Sequence, residues 1–233
     1  MDAIRGIGFD LDHTLAIDNH LERVCFLRLL RSVASRGGRS LGTLADEIDS
    51  VDRLLARQRI GAITIDETVR LFVAERGLTG SDWFVETFRK MAVESVEEFV
   101  VPLPGVEQTM EELQKRGIQV AVLTNGWDPL QKRKAEQAGF HGQVLVCSEI
   151  AERKPAAKAF ERLLRALGTD PRQTCYVGDD PRDDVAGAEQ AGLQAVWVDW
   201  EGREYPADLP PPAHTIHTLV ELLAVVPQCA RAS

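Results

Sequence analysis

The chain has 233 residues, 44% of them hydrophobic and 27% charged, a composition that excludes a disordered chain and suits one α/β core with an insertion, or two small domains. Its formal net charge of −9 repels a phosphate backbone, so nucleic-acid partners are not expected. A small anionic substrate is still admissible where a metal and a few cations override the field locally.

Ile4 to Phe9 reads as a short strand running straight into acidic residues. A helical region follows, without strands. Leu21, Val24, Cys25 and Leu29 repeat with helical spacing, as do Leu41, Leu44, Ile48, Val51 and Leu55, with Gly37-Gly38 between the two sets. Thr64-Ile65-Asp66-Glu67 has the form of a capping box and starts a third helix carrying Val69, Phe72 and Val73; Phe84, Phe88 and Met91 mark a fourth. Pro102 to Gly105 breaks this pattern, and strand and helix then alternate. The predicted strands are Ile118–Leu123, Val144–Val146, Cys175–Val177 and Ala195–Val198. The helices between them carry Val106, Met110 and Leu113, then a segment from Asp128-Pro129, then Phe160 to Leu167, then Asp184 to Ala191. A last helix carries Leu219, Leu222, Leu223 and Val226, after the Pro-rich stretch Pro210–Pro212. Alternation of this kind implies an α/β fold: a Rossmann-like parallel sheet with helices on both faces, here with an inserted α-helical cap. The predicted division is 1–16 plus 101–233 for the core and 17–100 for the cap.

The four cysteines, Cys25, Cys147, Cys175 and Cys229, form no C-x-x-C and have no accompanying His cluster. They read as free thiols in a reducing compartment. The N-terminus does not read as a signal peptide, and Leu222–Val226 is too short to span a bilayer. A cytoplasmic protein without membrane contact is expected.

Ligands of open parallel sheets bind beyond the carboxyl ends of the strands, and four of the predicted ends are unusually polar. The first runs Asp10-Leu11-Asp12-His13-Thr14. Residues i and i+2 share a face of an extended chain, so the two carboxylates can address one point, where they would need a cation; they can equally cap a turn. The second end is Thr124-Asn125-Gly126, an anion site made of a hydroxyl and backbone N–H groups, or an ordinary helix cap. Lys154-Pro155 follows the third and can set a point charge on a phosphate. The fourth runs Gly178-Asp179-Asp180-Pro181-Arg182-Asp183-Asp184. Its carboxylates are hard oxygen ligands that suit Mg²⁺, or an acidic helix N-terminus.

Taken in order, Asp10-Leu11-Asp12-His13-Thr14, Thr124, Lys154-Pro155, and Gly178-Asp179 with Asp184 resemble the four motifs of the haloacid dehalogenase superfamily. The helical insertion is similar to its small α-helical cap. More weakly, Thr124-Asn125-Gly126 resembles the subgroup containing N-acylneuraminate-9-phosphatase and some nucleotidases. The resemblance implies a phosphatase of small phosphorylated metabolites. In that scheme Asp10 is the nucleophile that forms an aspartyl-phosphate, and Asp12 is the acid and base. Thr124, Asn125 and Lys154 bind phosphate. Mg²⁺ is held by Asp10, Asp12 (through its backbone carbonyl) and Asp179, with Asp184 or Asp183 supporting it. A phosphomutase, or a phospho-accepting signalling or binding protein without turnover, are the alternatives. Substrate contacts are sought at Arg57, Arg59 and Ile60–Ile63, and at His20, Trp127 and Arg153. Oligomeric state is not legible.

Overall fold

In a computed structural model, which describes residues 4–79, 82–148 and 152–226, the first apolar run forms β1 (Gly6–Phe9), with all four residues buried. After the acidic turn comes β2 (Ala16–Ile17). Five helices follow: α1 (Leu21–Ser35), α2 (Leu44–Arg59), α3 (Ile65–Glu75), α4 (Asp82–Glu94) and α5 (Val96–Phe99). The short β3 (Val101–Pro102) pairs antiparallel with β2. The chain then alternates: α6 (Val106–Lys115), β4 (Gln119–Asn125), α7 (Leu130–Gln137), β5 (Gln143–Cys147), α8 (Ala157–Leu167), β6 (Thr174–Gly178), α9 (Gly187–Gln190), β7 (Gln194–Val198), β8 (His214–Ile216) and α10 (Leu222–Val225). These elements divide into two compact units, Met1–Ile17 with Val101–Ser233, and Asp18–Val100.

The first unit is built on one sheet of strand order β5-β4-β1-β6-β7-β8. Every pairing in it is parallel, the predicted α/β architecture. On one face Leu123, Cys147, Tyr176 and Trp197 pack against Phe160, Leu163 and Leu167 of α8. The alternate residues, such as Phe9, Val122, Val177 and Val198, are buried as well. Strands apolar on both faces are what a sheet covered on both sides requires. Helix α8 sets Ala159, Phe160, Leu163 and Leu167 on one buried stripe and stops at Gly168, whose φ of 65° ends the helix in the left-handed region.

The helical unit packs α1 against α2 and α4, and α3 against α2 and α4. Phe26 lies at its centre, 5.1 Å from the Phe72 ring and 4.3 Å from that of Phe88. The predicted capping box at Thr64 and Glu67 is present. A second one, Thr43 with Asp46, starts α2. The core of this unit also holds a charge pair, Arg76 with Glu47, whose side chains are 0% and 5% exposed. Arg76 further donates to the Phe72 carbonyl at 2.6 Å.

The structure alters several predicted boundaries. The strand expected to stop at Leu123 runs on through Thr124 and Asn125, which pair with Val146 and Cys147 of β5. The helix expected over Asp184–Ala191 is a wide π turn, Pro181–Ala186, followed by one short α-turn. Asp180 caps this turn, accepting from Arg182 N and Asp183 N at 2.8 Å each, with Pro181 in the first helical position. The last predicted helix opens with a 3₁₀ turn, Leu219–Glu221. Strands β2, β3 and β8 and helix α5 were not predicted. Cys25, Cys147 and Cys175 are free and buried, and Cys229 lies outside the described residues. No helix among the described residues is long and apolar enough to cross a membrane.

Candidate active site

Strand β1 sits in the middle of the sheet, between β4 and β6, so the residues after Phe9 emerge where three carboxyl ends meet. Asp10 N donates to Val177 O at 2.9 Å, which extends the ladder one residue beyond the strand and fixes the Asp10 backbone. Its carboxylate faces Lys154. The Lys154 ammonium donates to Asp10 Oδ1 at 2.6 Å, Asp184 Oδ1 at 2.6 Å and the Tyr176 hydroxyl at 3.0 Å. The Tyr176 hydroxyl in turn donates a hydrogen bond to Leu123 O at 2.7 Å, tying the group to β4.

Carboxylate oxygens of Asp10, Asp179 and Asp184 lie within 4.8 Å of one another. Gly178 makes this possible, because a Cβ there would collide with the Asp184 carboxylate. The wide turn from Pro181 brings Asp184 back over the strand end, where its Oδ2 accepts from Asp180 N at 3.0 Å. Asp184, not Asp183, therefore joins the group. Asp183 Oδ2 instead accepts from Asn125 Nδ2 at 3.3 Å.

Burial raises Asp10 well above the ordinary carboxylate range, with Lys154 pulling back down and Asp184 and Asp179 adding to the rise. Asp184 is raised by burial and lowered by Lys154. Asp179 is pushed up to about 7, by burial first and by Asp184 next. Burial alone would lower Lys154, but the two carboxylates override it and hold the ammonium well above its usual value. Three carboxylates facing two cations, Lys154 and Arg203, remain short of positive charge. A hard divalent cation fits that donor set.

Asp12 is held apart from this group. Lys134 Nζ donates to its Oδ1 at 2.9 Å, and Gln131 Nε2 donates to its Oδ2 at 2.8 Å. Gln131 Nε2 also reaches Thr124 Oγ1 at 2.9 Å and Asn125 O at 3.0 Å. Thr124 is 1% exposed. Asn125 braces the lysine segment: its Oδ1 accepts from Lys154 N at 2.9 Å and its Nδ2 donates to Lys154 O at 3.0 Å. Its side-chain amide is thus engaged by protein rather than held out for a ligand.

Four contributors escaped the sequence reading. Tyr176 looked like one more apolar strand residue. Gln131 and Lys134 stand among the polar residues of α7, and only their i,i+3 spacing marks a shared face. Arg203 donates to Asp179 O at 2.9 Å and Asp179 Oδ2 at 3.2 Å from an irregular loop, where no periodicity could signal it. Among the candidate substrate contacts, Trp127 is 4% exposed and thus a packed residue, while Ile60 at the end of α2 is 80% exposed.

The comparisons agree with this arrangement. A family model described as haloacid dehalogenase-like hydrolase matches residues 4–192. A phosphoserine phosphatase of Thermus thermophilus is 40% identical over 99 residues, 41% of this chain and 40% of that protein. A ribulose-1,5-bisphosphate 5-phosphatase of Halopiger xanaduensis is 33% identical over 134 residues, 53% of this chain and 56% of that protein. The chain thus spans about half the length of the curated relatives it matches. Among solved structures, a 2-haloacid dehalogenase of Pseudomonas syringae pv. Tomato superposes with a TM-score of 0.74 at 26% identity, over 96% of this chain and 98% of that one. Parallel sheet, acidic strand ends and family match coincide on the same residues: the chain belongs to the haloacid dehalogenase-like hydrolases.

Proposed function

We propose that this chain is a Mg²⁺-dependent phosphomonoesterase that acts on a small phosphorylated metabolite through an aspartyl-phosphate on Asp10. The observation that carries this reading is the separation of two carboxylates two residues apart: Asp10 lies in the acidic group around Lys154, while Asp12 is held by a different helix. Such an arrangement gives one carboxylate to attack and another to handle protons.

Asp10, Asp179 and Asp184 would hold the magnesium, together with the backbone carbonyl of Asp12. Bound there, it supplies positive charge that lets an anionic nucleophile approach an anionic phosphate. The Asp10 carboxylate attacks phosphorus and the ester oxygen departs. Asp12 gives that oxygen a proton, then removes one from the water that opens the acyl-phosphate. Lys154 and the Thr124 hydroxyl bind oxygens of the transferring group, and the Tyr176 hydroxyl and Asn125 amide keep Lys154 in place. All these residues belong to the first unit, so we assign it the catalysis. The relatives named as phosphatases support the ester-cleaving reading over the dehalogenase one, as does Asp12, since a halide leaves without a proton donor.

The test is release of inorganic phosphate from a panel of phosphorylated metabolites, with the protein made in parallel as Asp10→Asn. Turnover by the parent alone, with covalent phosphate recovered on Asp10, is the expected result. Phosphate recovered on another residue, or isomerised sugar phosphate in place of free phosphate, would overturn the proposal.

A further inference from the structure

Asp10 and Asp12 each face a lysine that is almost completely buried: Lys154 and Lys134 are both 3% exposed. The Lys154 ammonium belongs to the acidic group. That of Lys134 contacts Asp12 instead, at 2.9 Å. Burying an ammonium is costly unless it is paired, so a lysine inside α7 aimed at one oxygen of Asp12 calls for a function. Gln131 takes the other oxygen from one turn earlier on the same helix. The amide orientation of Gln131 is fixed by its neighbours. Its nitrogen faces Asp12 Oδ2 and Asn125 O, both acceptors, so an oxygen could not stand there. Gly126 makes room for this residue: with φ at 155°, a Cβ would lie 2.7 Å from Gln131 Cγ. Helix α7 thus grips both carboxylate oxygens of Asp12, whose side chain is itself 29% exposed and would otherwise be free to turn.

We infer that Lys134, with Gln131, is a positioning residue that holds the Asp12 carboxylate toward the leaving-group oxygen and away from the group formed by Asp10, Asp179 and Asp184. The inference rests on the phosphatase reading above. Lys134 touches neither substrate nor the reacting phosphorus; it acts through Asp12. A group that merely supported the fold would affect all substrates equally. One that orients the proton donor matters most where the leaving oxygen needs a proton.

The experiment compares an alkyl phosphate with an aryl phosphate, both at saturating Mg²⁺. Lys134→Met is expected to lower kcat/KM for the alkyl ester by about 100-fold, the scale of lost acid catalysis, and for the aryl ester at least tenfold less. The loss should lie in kcat, and Lys134→Arg should restore most of it. In an Asp12→Asn background, Lys134→Met should add little. Lys134→Gln, which keeps a donor without the charge, is read by the same ratio if the methionine variant does not fold. Equal losses on the two esters overturn the inference, as does an undiminished Lys134→Met loss in the Asp12→Asn background. A parent protein that releases no phosphate, or that carries the label elsewhere than on Asp10, overturns the phosphatase reading itself; equal losses with Asp10 labelled overturn only the role of Lys134.

Discussion

Lys154→Met should destabilise the protein measurably, and the loss should depend on pH. The side chain is 3% exposed and its ammonium donates to two carboxylates at 2.6 Å each. Removing the cation strands both acids in the interior. Breaking a buried ion pair by deleting one partner costs about 3–5 kcal/mol. In a protein of this size 1 kcal/mol corresponds to about 2–4 °C of melting temperature, so the expected drop is about 6–20 °C. Lys154 is the main influence lowering Asp10 and Asp184 against burial, and its loss lifts both further. A carboxyl raised in the folded state binds protons more readily there than in the unfolded chain. Stability therefore falls as pH rises from the unfolded value of about 3.9 to the raised folded one. In the variant this window extends further up, so its deficit should be larger at pH 8 than at pH 5. Thermal melting of parent and variant in chelator, followed by circular dichroism, measures both quantities. A shift below about 2 °C at both pH values, less than 1 kcal/mol on the same conversion, would refute the account of Lys154 as the charge that holds the site together.

Three further outcomes follow from the same structure. Asp10→Asn is nearly isosteric and should fold, while turnover falls by several orders of magnitude; phosphate release and melting, measured together, separate the two effects. Chelation should abolish phosphate release, Mg²⁺ should restore it, and added Mg²⁺ should raise the melting temperature in a concentration-dependent way; full activity after exhaustive chelation would contradict the assignment of the carboxylate group. In the helical unit, burial pushes Glu47 up, but hydrogen bonds from Leu41 N–H and the Arg76 guanidinium outweigh it and leave the carboxyl below its usual range. Its contribution is present above the unfolded value of about 4.3 and is lost as pH falls through the folded one. The stability gap between parent and Glu47→Gln should accordingly shrink below about pH 4.3, and a constant gap in melting experiments from pH 7 to 3 would contradict this.

Long periodic elements were legible because burial repeats along them. The apolar run Ile4–Phe9 before Asp10 and the nearly continuous Ile118–Leu123 segment read as strands of a covered sheet. Their polar ends stand out against that background, and the structure brings three of those polar residues, Asp10, Asp179 and Lys154, to one place. Elements of two or three residues carry no period, so β2, β3 and β8 were invisible. The capping box at Thr43 has Asp46 as its third residue onward, in place of the Glu or Gln of the usual box. The choice between Asp183 and Asp184 turned on a π turn that widens the helix by one residue, a matter of backbone hydrogen bonding that composition does not encode. Gln131 and Lys134 are hidden for a different reason: hydrophobic patterning counts polar residues as solvent-facing, and these two are buried against Asp12, in the turn after β1, with Gln131 also reaching Thr124 and Asn125 of β4.

The place of β1 also constrains the order in which the protein can be made. Its register partners are Gln119–Val122 on one side and Thr174–Val177 on the other, more than 110 and more than 160 residues later in the chain. In a nascent polypeptide one edge of β1 therefore stays unpaired until β6 has been made. The helices of Asp18–Val100 pack against one another and are all synthesised before β4 and β6. Assembly of the sheet must wait for β6, and with it the meeting of Asp10, Lys154 and Asp184. Non-local pairing of this kind is slow, so the acidic group around Lys154 comes together late, and a chain truncated before Gly178 would lack Asp179 and Asp184.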